Sequence, residues 1–401
     1  MTDAILALNA GSSSIKFALF KMGPGKTLEP AVRGEMEGIG TEPHFAAHDA
    51  AGTEIGQMSW AGNASADHDA LLGWLMDWVR HHLGCDVLAA VGHRVVHGGR
   101  DFIAPVRLTP EIIAALDRLT PLAPLHQPHS LAPVRAIMER QPDLPQVACF
   151  DTAFHHTLPT VASRYALPRE YEDEGVRRYG FHGLSYEFIA GRLRETAPHL
   201  AAGRVVVAHL GNGASLCAMR DGRSLDTTMG FTALDGLVMG TRCGTLDAGV
   251  VLYMLQQKGL SAPDVEQVLY KKSGLLGVSG ISSDMRTLTA SADPHAREAV
   301  ELFVFRVARQ TAALANSLGG LDGFVFTAGI GEHSPAIREA VCERLGWLGV
   351  RIDRAANANH ADRIATSESR VDVRVIPTDE EAMIARHTRD VLSDAGETGG
   401  A

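Results

Sequence analysis

Apolar positions recur along this chain in two rhythms. From Ala4 the sequence AILALNA is a nearly continuous apolar run that enters Gly11-Ser12-Ser13-Ser14 and then alternates through Ile15, Phe17 and Leu19, which predicts strand, tight turn and strand. Arg204 to Met219 repeats the plan: Val205, Val206 and Val207 lead into Gly211-Asn212-Gly213, then Ser215 and Leu216, with a further turn at Asp221-Gly222. Two such openings, roughly half a chain apart, suggest duplicated domains of one type. A third apolar strand runs into a glycine turn at VFTAGIGEH. Glycine lets a backbone approach a phosphate closely, and successive N–H groups in such turns form anion-binding nests, so three of them point to a nucleotide.

The intervals follow helical spacing. Thr109-Pro110-Glu111 supplies a cap, a first-turn proline and an acid ahead of Ile112, Ile113, Leu116 and Leu119. Asp293-Pro294 opens a helix that ends near Gly319-Gly320 and feeds the strand FVFTAG. Glu380 to Leu392 is helical in pattern through Met383, Ile384 and Val391, and is expected to fold back on the first domain. Strands and helices in this order predict α/β layers with function at strand ends. Gly23 to Asn63, rich in glycine, alanine and histidine, reads as weakly specified hairpins or loops without chemistry.

Length and composition narrow the function classes. A chain of 401 residues is too long for one ordinary core, so two domains with a cleft between them are expected. Hydrophobic residues at 45% and charged residues at 21% fit a soluble globular protein. The formal charge of −10 and the absence of a long basic run argue against a nucleic-acid partner. Five cysteines (Cys85, Cys149, Cys217, Cys243, Cys342) lack metal-ligand spacing and are odd in number, which suits reduced thiols. The opening MTDAILALNAG has no basic n-region and no apolar stretch is long enough to span a bilayer, so a cytoplasmic protein without a membrane partner is expected.

Individual motifs carry the chemistry. NAGSSSIK (Asn9 to Lys16) is not a Walker A loop, because Lys16 is followed by Phe17 and the chain continues as a strand. Ser12, Ser14 and Lys16 can donate to phosphate and Asn9 can reach a metal-bound water, though an ordinary hairpin turn uses the same residues. In HRVVHGGRDF, Arg94 ends an apolar approach, where its planar fork suits a carboxylate or phosphate as well as a surface ion pair. His93 and His97 are four apart, but a strand edge and turn make a poor zinc site. Asp151 follows the strand VACF, in position to organise magnesium, orient a nucleophile or cap the next turn. His182 precedes a helix that Ser185 is expected to cap, and donors at a helix start can stabilise developing negative charge. Arg242 lies between glycines in MGTRCG. Asp284 and Arg286 can contact a ribose or diphosphate, or each other, and the carboxylates of Glu380 and Glu381 follow the strand VRVI, where a metal ligand and a helix-first-turn charge both fit. Together these features favour phosphoryl transfer.

Taken in order, NAGSSSIK, HRVVHGG, PLAPLH, FDTAFH, YGFHG, HLGNGAS, MGFT with MGTR, SSDMR, TAGIGE and the closing EE segment resemble the acetate kinase family, within the superfamily of sugar kinases, heat-shock chaperones and actin. The resemblance runs from Ala7 to about Arg386. It implies an α/β fold of two ribonuclease H-like domains, residues 1–151 with 383–401 and residues 152–382, and a homodimer. It implies reversible transfer of the ATP γ-phosphoryl group to acetate, with ATP/ADP and magnesium, for which manganese can substitute. Carried over position by position, Asn9 and Glu380 match the magnesium positions, and Ser12, Ser14 and Lys16 the first phosphate turn. Arg94 matches the substrate arginine, Asp151 the catalytic acid/base position, and His182 and Arg242 the transition-state stabilisers. His209, Leu210, Gly211, Asn212 and Gly213, then Asp284, Met285 and Arg286, then Gly329, Ile330, Gly331, Glu332 and His333 match the ATP loops. Acetate is already ionised near neutral pH, so orientation and magnesium organisation suit Asp151 better than proton abstraction.

Several positions depart from the family pattern. Ala233 replaces a usual proline in a stretch that, with Val96, Leu125 and Phe181, resembles the wall of the acetate-methyl pocket; a roomier pocket and propionate turnover are expected. His333 replaces an asparagine in the adenine loop, and Leu184 and Tyr186 replace the common threonine and histidine after FHG. The alternatives are a propionate or mixed short-chain acyl kinase and, from another class, a non-catalytic actin-like nucleotide switch, which Arg94, Asp151, His182 and Arg242 argue against.

Overall fold

The structure is a computed structural model that describes residues 2–11, 14–60, 68–124 and 126–398, with side chains of the last helix described to Asp394. The chain forms two compact units, residues 1–153 with 379–401 and residues 154–378. The last helix begins at Glu380 and stays whole with the first unit.

The first unit is built on an eight-stranded sheet. Its strands are β1 (Asp3–Ala10), β2 (Ser14–Met22), β3 (Leu28–Glu37), β4 (His44–Asp49), β5 (Glu54–Ser59), β6 (Val87–Val95), β7 (Val106–Arg107) and β8 (Gln146–Phe150), in the order β5-β4-β3-β2-β1-β6-β8-β7. Strands β1 to β5 form an antiparallel meander, while β6 and β8 run parallel to β1. Gly23 to Asn63, expected to hold weakly specified hairpins or loops, supplies three regular antiparallel strands within its described residues, 23–60. Val32, Met36, Phe45 and Ala47 point to one face, where Phe45 meets Trp74 and Trp78 of helix α1 (His68–Leu83) at 4.8 and 5.1 Å between ring centroids. Every other position is polar or small, and that sparse alternation hid the strands.

Helices cover the parallel strands. Thr109 caps Pro110–Asp117 by accepting from the Ile112 amide, as its sequence predicts. Helix α2 (Gln127–Arg140) buries Leu131, Val134 and Ile137. The closing helix, α5 (Glu380–Thr398), lies on β1, β6 and β8 through Met383, Ile384 and Ala385. It comes so close to β6 that a Cβ on Gly92 would sit 2.6 Å from an Ile384 methyl and 2.2 Å from the Thr388 hydroxyl. A glycine at position 92 is thus what lets the start of the helix, with Glu380, lie over the strand ends.

The second unit contains a five-stranded sheet of β9 (Arg204–Leu210), β10 (Ala214–Arg220), β11 (Arg223–Thr227), β12 (Gly323–Thr327) and β13 (Asp372–Val375), in the order β11-β10-β9-β12-β13. Again a three-stranded meander joins two strands parallel to its first member. This is the pattern of β3-β2-β1-β6-β8, so the duplication read from the two glycine hairpins extends to whole sheets. Residues Val205 to Leu210 of β9 are all buried, as befits a strand covered on both faces. Helix α3 (Gly183–Thr196) and helix α4 (Pro294–Leu318) pack on it. Asp293 caps α4 by accepting from the His295 amide, and Gly319 ends it with φ 70°.

Candidate active site

In the first unit the predicted residues gather at the ends of β1, β6 and β8. Arg94, on β6, donates through Nε and Nη2 to Asp151 Oδ2 at 3.0 and 2.5 Å, and through Nη1 to Asn9 Oδ1 at 3.1 Å. Asn9 then donates through Nδ2 to Glu380 at 3.1 Å and Glu381 at 3.3 Å. One amide therefore bridges the arginine to both carboxylates of α5. Glu381, read in the sequence beside Glu380 as a metal ligand or a first-turn charge, thus shares the same amide. Lys16 stands opposite Asn9 in the β1/β2 register.

The charges shape one another. Burial alone would lower the Arg94 guanidinium, but the Asp151 and Glu380 carboxylates more than reverse this and raise it, so the arginine stays charged. Burial pushes the Glu380 carboxyl up to about 7, with Arg94 opposing and the acids Asp151 and Glu381 adding to the rise. Asp151 is 0% exposed, and its second oxygen, Oδ1, has no hydrogen-bond partner among the described residues. A buried carboxylate oxygen without a donor is costly unless a cation or proton meets it. A hard divalent cation fits that oxygen and Glu380 in donor type. Among the described residues no group of three or more His, Cys, Asp or Glu side chains is placed to hold a metal, so such an ion would rely on substrate phosphates for further ligands, as magnesium commonly does.

Ser14 begins β2, and Val96 is buried just after β6. Ser12 and Leu125 lie outside the described residues. His93 is buried and bonded to Gln146 at 2.8 Å, and burial lowers its imidazole to about 4, which leaves it neutral and structural.

The second unit brings together imidazoles, hydroxyls and one arginine. His182 is the N-cap of α3, in the left-handed region at φ 58° and ψ 27°. Ser185 does not cap the helix as expected, because α3 starts two residues earlier, at Gly183, and the Ser185 hydroxyl bonds His209 Nδ1 at 2.8 Å. The rings of His182 and His209 stack with centroids 4.1 Å apart and planes 16° apart. His182 Nδ1 meets Ser215 Oγ at 2.8 Å, and Ser215 stands opposite His209 in the β9/β10 register.

Gly211-Asn212-Gly213 closes that hairpin. A Cβ on Gly213 would lie 2.9 Å from an Arg242 guanidinium nitrogen and 3.2 Å from His182 Nε2. The bare glycine backbone is thus where both donors converge. Arg242 is oriented by donating to the Ala233 carbonyl at 2.7 Å, and the Asn212 carbonyl accepts from the Gly240 amide at 3.0 Å, tying the MGTR loop to the turn. Phe181 is buried, and its carbonyl meets His155 Nε2 at 2.9 Å. Arg178, unmarked in the sequence, donates to the carbonyls of Thr227, Thr228 and Met229 at 2.9 to 3.1 Å and so holds the strand leading to Phe231 and Ala233.

The remaining loops differ in how much polar capacity they leave for a ligand. Asp284 caps Met285–Ala290 and pairs with the exposed Arg286 at 2.6 Å; bonds from Arg286 hold the Asp284 carboxyl below its ordinary value. Residues Ala328–His333 form a short helix rather than an open turn, entered through Ala328 at φ 63°. Glu332 accepts from the Ala328 and Thr378 amides at 2.7 and 3.1 Å, and the buried Arg338 donates to the Gly331 and Glu332 carbonyls. Gly329 and His333 stay exposed and Ile330 half-buried, so the loop offers backbone and an imidazole while its acid holds the fold.

Residues 4–386 match the model of the acetokinase family. An acetate kinase of Rhodopseudomonas palustris is 56% identical over 99% of this chain and all of its own length. Among solved structures, a propionate kinase from Francisella tularensis superposes with a TM-score of 0.88 at 37% identity, covering 97% of this chain and all of that one. The acetate kinase of Porphyromonas gingivalis gives 0.84 at 37% identity with the same coverage. With its strand-end acids and arginine in one unit, its paired imidazoles and arginine in the other, and a match over nearly its whole length, this chain belongs to the acetokinase family.

Proposed function

We propose that this protein is an acetate kinase that transfers the γ-phosphoryl group of ATP reversibly to acetate, giving acetyl phosphate and ADP. The observation that carries it is the convergence of Arg242 and His182 Nε2 on the bare backbone of Gly213. Two donors beside a glycine turn suit a group whose equatorial oxygens carry the charge of a phosphoryl transition state. Arg94 then binds the acetate carboxylate with the two N–H groups not committed to Asp151 and Asn9, while Asp151 fixes that guanidinium and keeps one oxygen for a cation. A magnesium ion, or manganese in its place, is assigned to Glu380, Asn9 and Asp151. Held there, it would supply positive charge to offset that of the phosphate oxygens.

His209 to Gly213, Ser14 with Lys16, and Ser12 beyond the described residues are assigned to phosphates; Asp284 to Arg286 and Gly329 to His333 are assigned to the nucleoside. Val96, Phe181 and Ala233, with Leu125, are assigned to the methyl pocket, and Ala233 favours some propionate turnover as well. A homodimer is supported by helix Ala248–Gln256, which buries none of its residues while exposing Val250, Leu252 and Tyr253. The five described cysteines are all free, which suits a reducing cytoplasm, and no described helix is long and apolar enough to cross a membrane.

The test is hydroxamate formation from acetate, ATP and magnesium by the full-length protein, with Arg242→Ala as control. Acetyl phosphate production that collapses in the variant supports the proposal. No product from any short carboxylate overturns it and returns the switch reading.

A further inference from the structure

The imidazole of His182 is held from behind by two hydroxyls that the proposed reaction does not itself use. Ser215 Oγ lies 2.8 Å from His182 Nδ1 and 2.5 Å from Tyr186 Oη, and both Ser215 and Tyr186 are 0% exposed. A serine hydroxyl has one proton and two lone pairs. Between a phenol and an imidazole nitrogen it has two arrangements. It accepts from Tyr186 and donates to Nδ1, or it accepts from Nδ1 and donates to the phenol. The phenol is the more acidic hydroxyl and the imidazole nitrogen the stronger base, so the first arrangement is lower in energy.

The surroundings act in the same direction. The half-buried His182 ring lies 4.1 Å from the buried His209 ring, and two imidazolium charges at that spacing would repel. His209 is anchored in the same way, through Nδ1, by the Ser185 hydroxyl at 2.8 Å. The left-handed backbone at His182 is a conformation that a non-glycine residue keeps only when its surroundings enforce it, and the Ser215 bond is one such restraint.

We propose that Tyr186 and Ser215 are positioning residues that hold His182 as the neutral imidazole with its proton on Nε2, aimed as a hydrogen-bond donor at the Gly213 turn. The proposal rests on the role given to His182 in phosphoryl transfer. A histidine at position 186 would likewise be able to donate to the serine hydroxyl.

Tyr186→Phe removes the hydroxyl but keeps the ring that packs edge-on against His155 at 5.6 Å. The ring 15N shifts of His182 in the full-length protein, assigned by their loss in His182→Gln, report the tautomer without any turnover. The expected result is one Nε2–H tautomer near neutral pH in the natural protein and a mixture in Tyr186→Phe. The same variant should lose about five- to tenfold in kcat with KM for acetate and ATP nearly unchanged, and Tyr186→His should restore both tautomer and rate. Ser215→Ala provides the same measurement if Tyr186→Phe does not fold. An Nδ1–H tautomer in the natural protein overturns the proposal, as does an unchanged tautomer with unchanged kcat in both variants. Because the shift measurement needs no substrate, its failure is separate from failure of the kinase reading.

Discussion

The two hairpins that open the two sheets occupy equivalent places and carry opposite chemistry. In β1/β2 the pair before the last is Asn9 and Lys16, and in β9/β10 it is His209 and Ser215. Around the first stand an arginine and three carboxylates joined by an amide, and around the second stand two stacked imidazoles, their hydroxyls and one arginine. The scaffold dictates where a side chain emerges but not what it does. A carboxylate network with one unmatched oxygen suits a cation, whereas imidazoles backed by serines suit an anion.

Removing the donor of the second set should have the largest effect. Arg242→Ala leaves the Ala233 carbonyl without its guanidinium and takes one of two donors from the Gly213 turn. Its kcat for acetyl phosphate formation should fall roughly 10²- to 10³-fold, read by the hydroxamate assay on protein whose circular dichroism is unchanged. Near-normal turnover would remove this arginine from the reaction and with it the contrast between the two sets.

Substrate size tests how far Ala233 belongs to the second set. Its carbonyl orients Arg242, a duty that proline at the same position would also perform. Ala233→Pro should therefore keep acetate turnover while lowering propionate kcat/KM further. In the natural protein the preference for acetate over propionate should lie within about 10- to 200-fold, the worth of one methylene. Propionate activity below detection beside rapid acetate turnover would show that other residues close the pocket.

Acidity sharpens the first set. The Glu380 carboxyl stands at about 7 against an ordinary 4.5, so the fold favours its neutral form. In metal-free protein its contribution to stability is therefore fully present below about 4.5 and is lost as pH rises through about 7. Glu380→Gln should flatten that loss in unfolding midpoints. A bound cation needs the ionised form, so magnesium affinity should rise with pH by up to about tenfold per unit until about pH 7 and then level off. Magnesium binding that ignores pH would mean that Glu380 is not a ligand.

Much of this was legible in the chain. Arg94 and Asp151 end or follow neighbouring parallel strands of one sheet, and such strand ends gather on one edge, so their meeting follows from periodicity and topology; Glu380 follows a strand of the other sheet and reaches them at the start of α5. The bond from Ser215 to His182 was not legible, because it depends on the β9/β10 register and on the left-handed entry to α3, neither of which leaves a local pattern. Asn9 shows the same limit in milder form. Its place beside a metal was expected, but its bridging between Arg94 and two acids spans partners more than 80 and more than 370 residues away. The β3 to β5 meander was legible only as weakly specified hairpins or loops, because only its buried face is apolar.

The smallest expected effect separates a ligand contact from a self-contained pair. Arg286 is almost fully exposed and its guanidinium already grips Asp284, the cap of its own helix. If that pair exists only for the cap, Arg286→Ala leaves KM for ATP unchanged and lowers the unfolding midpoint slightly. If the guanidinium instead leaves Asp284 to meet the nucleoside, KM for ATP rises about two- to fivefold, the scale of a solvent-screened charge, and kcat holds. The second outcome is expected, because an exposed pair adds little to stability and the loop has no other long side chain with donors to offer.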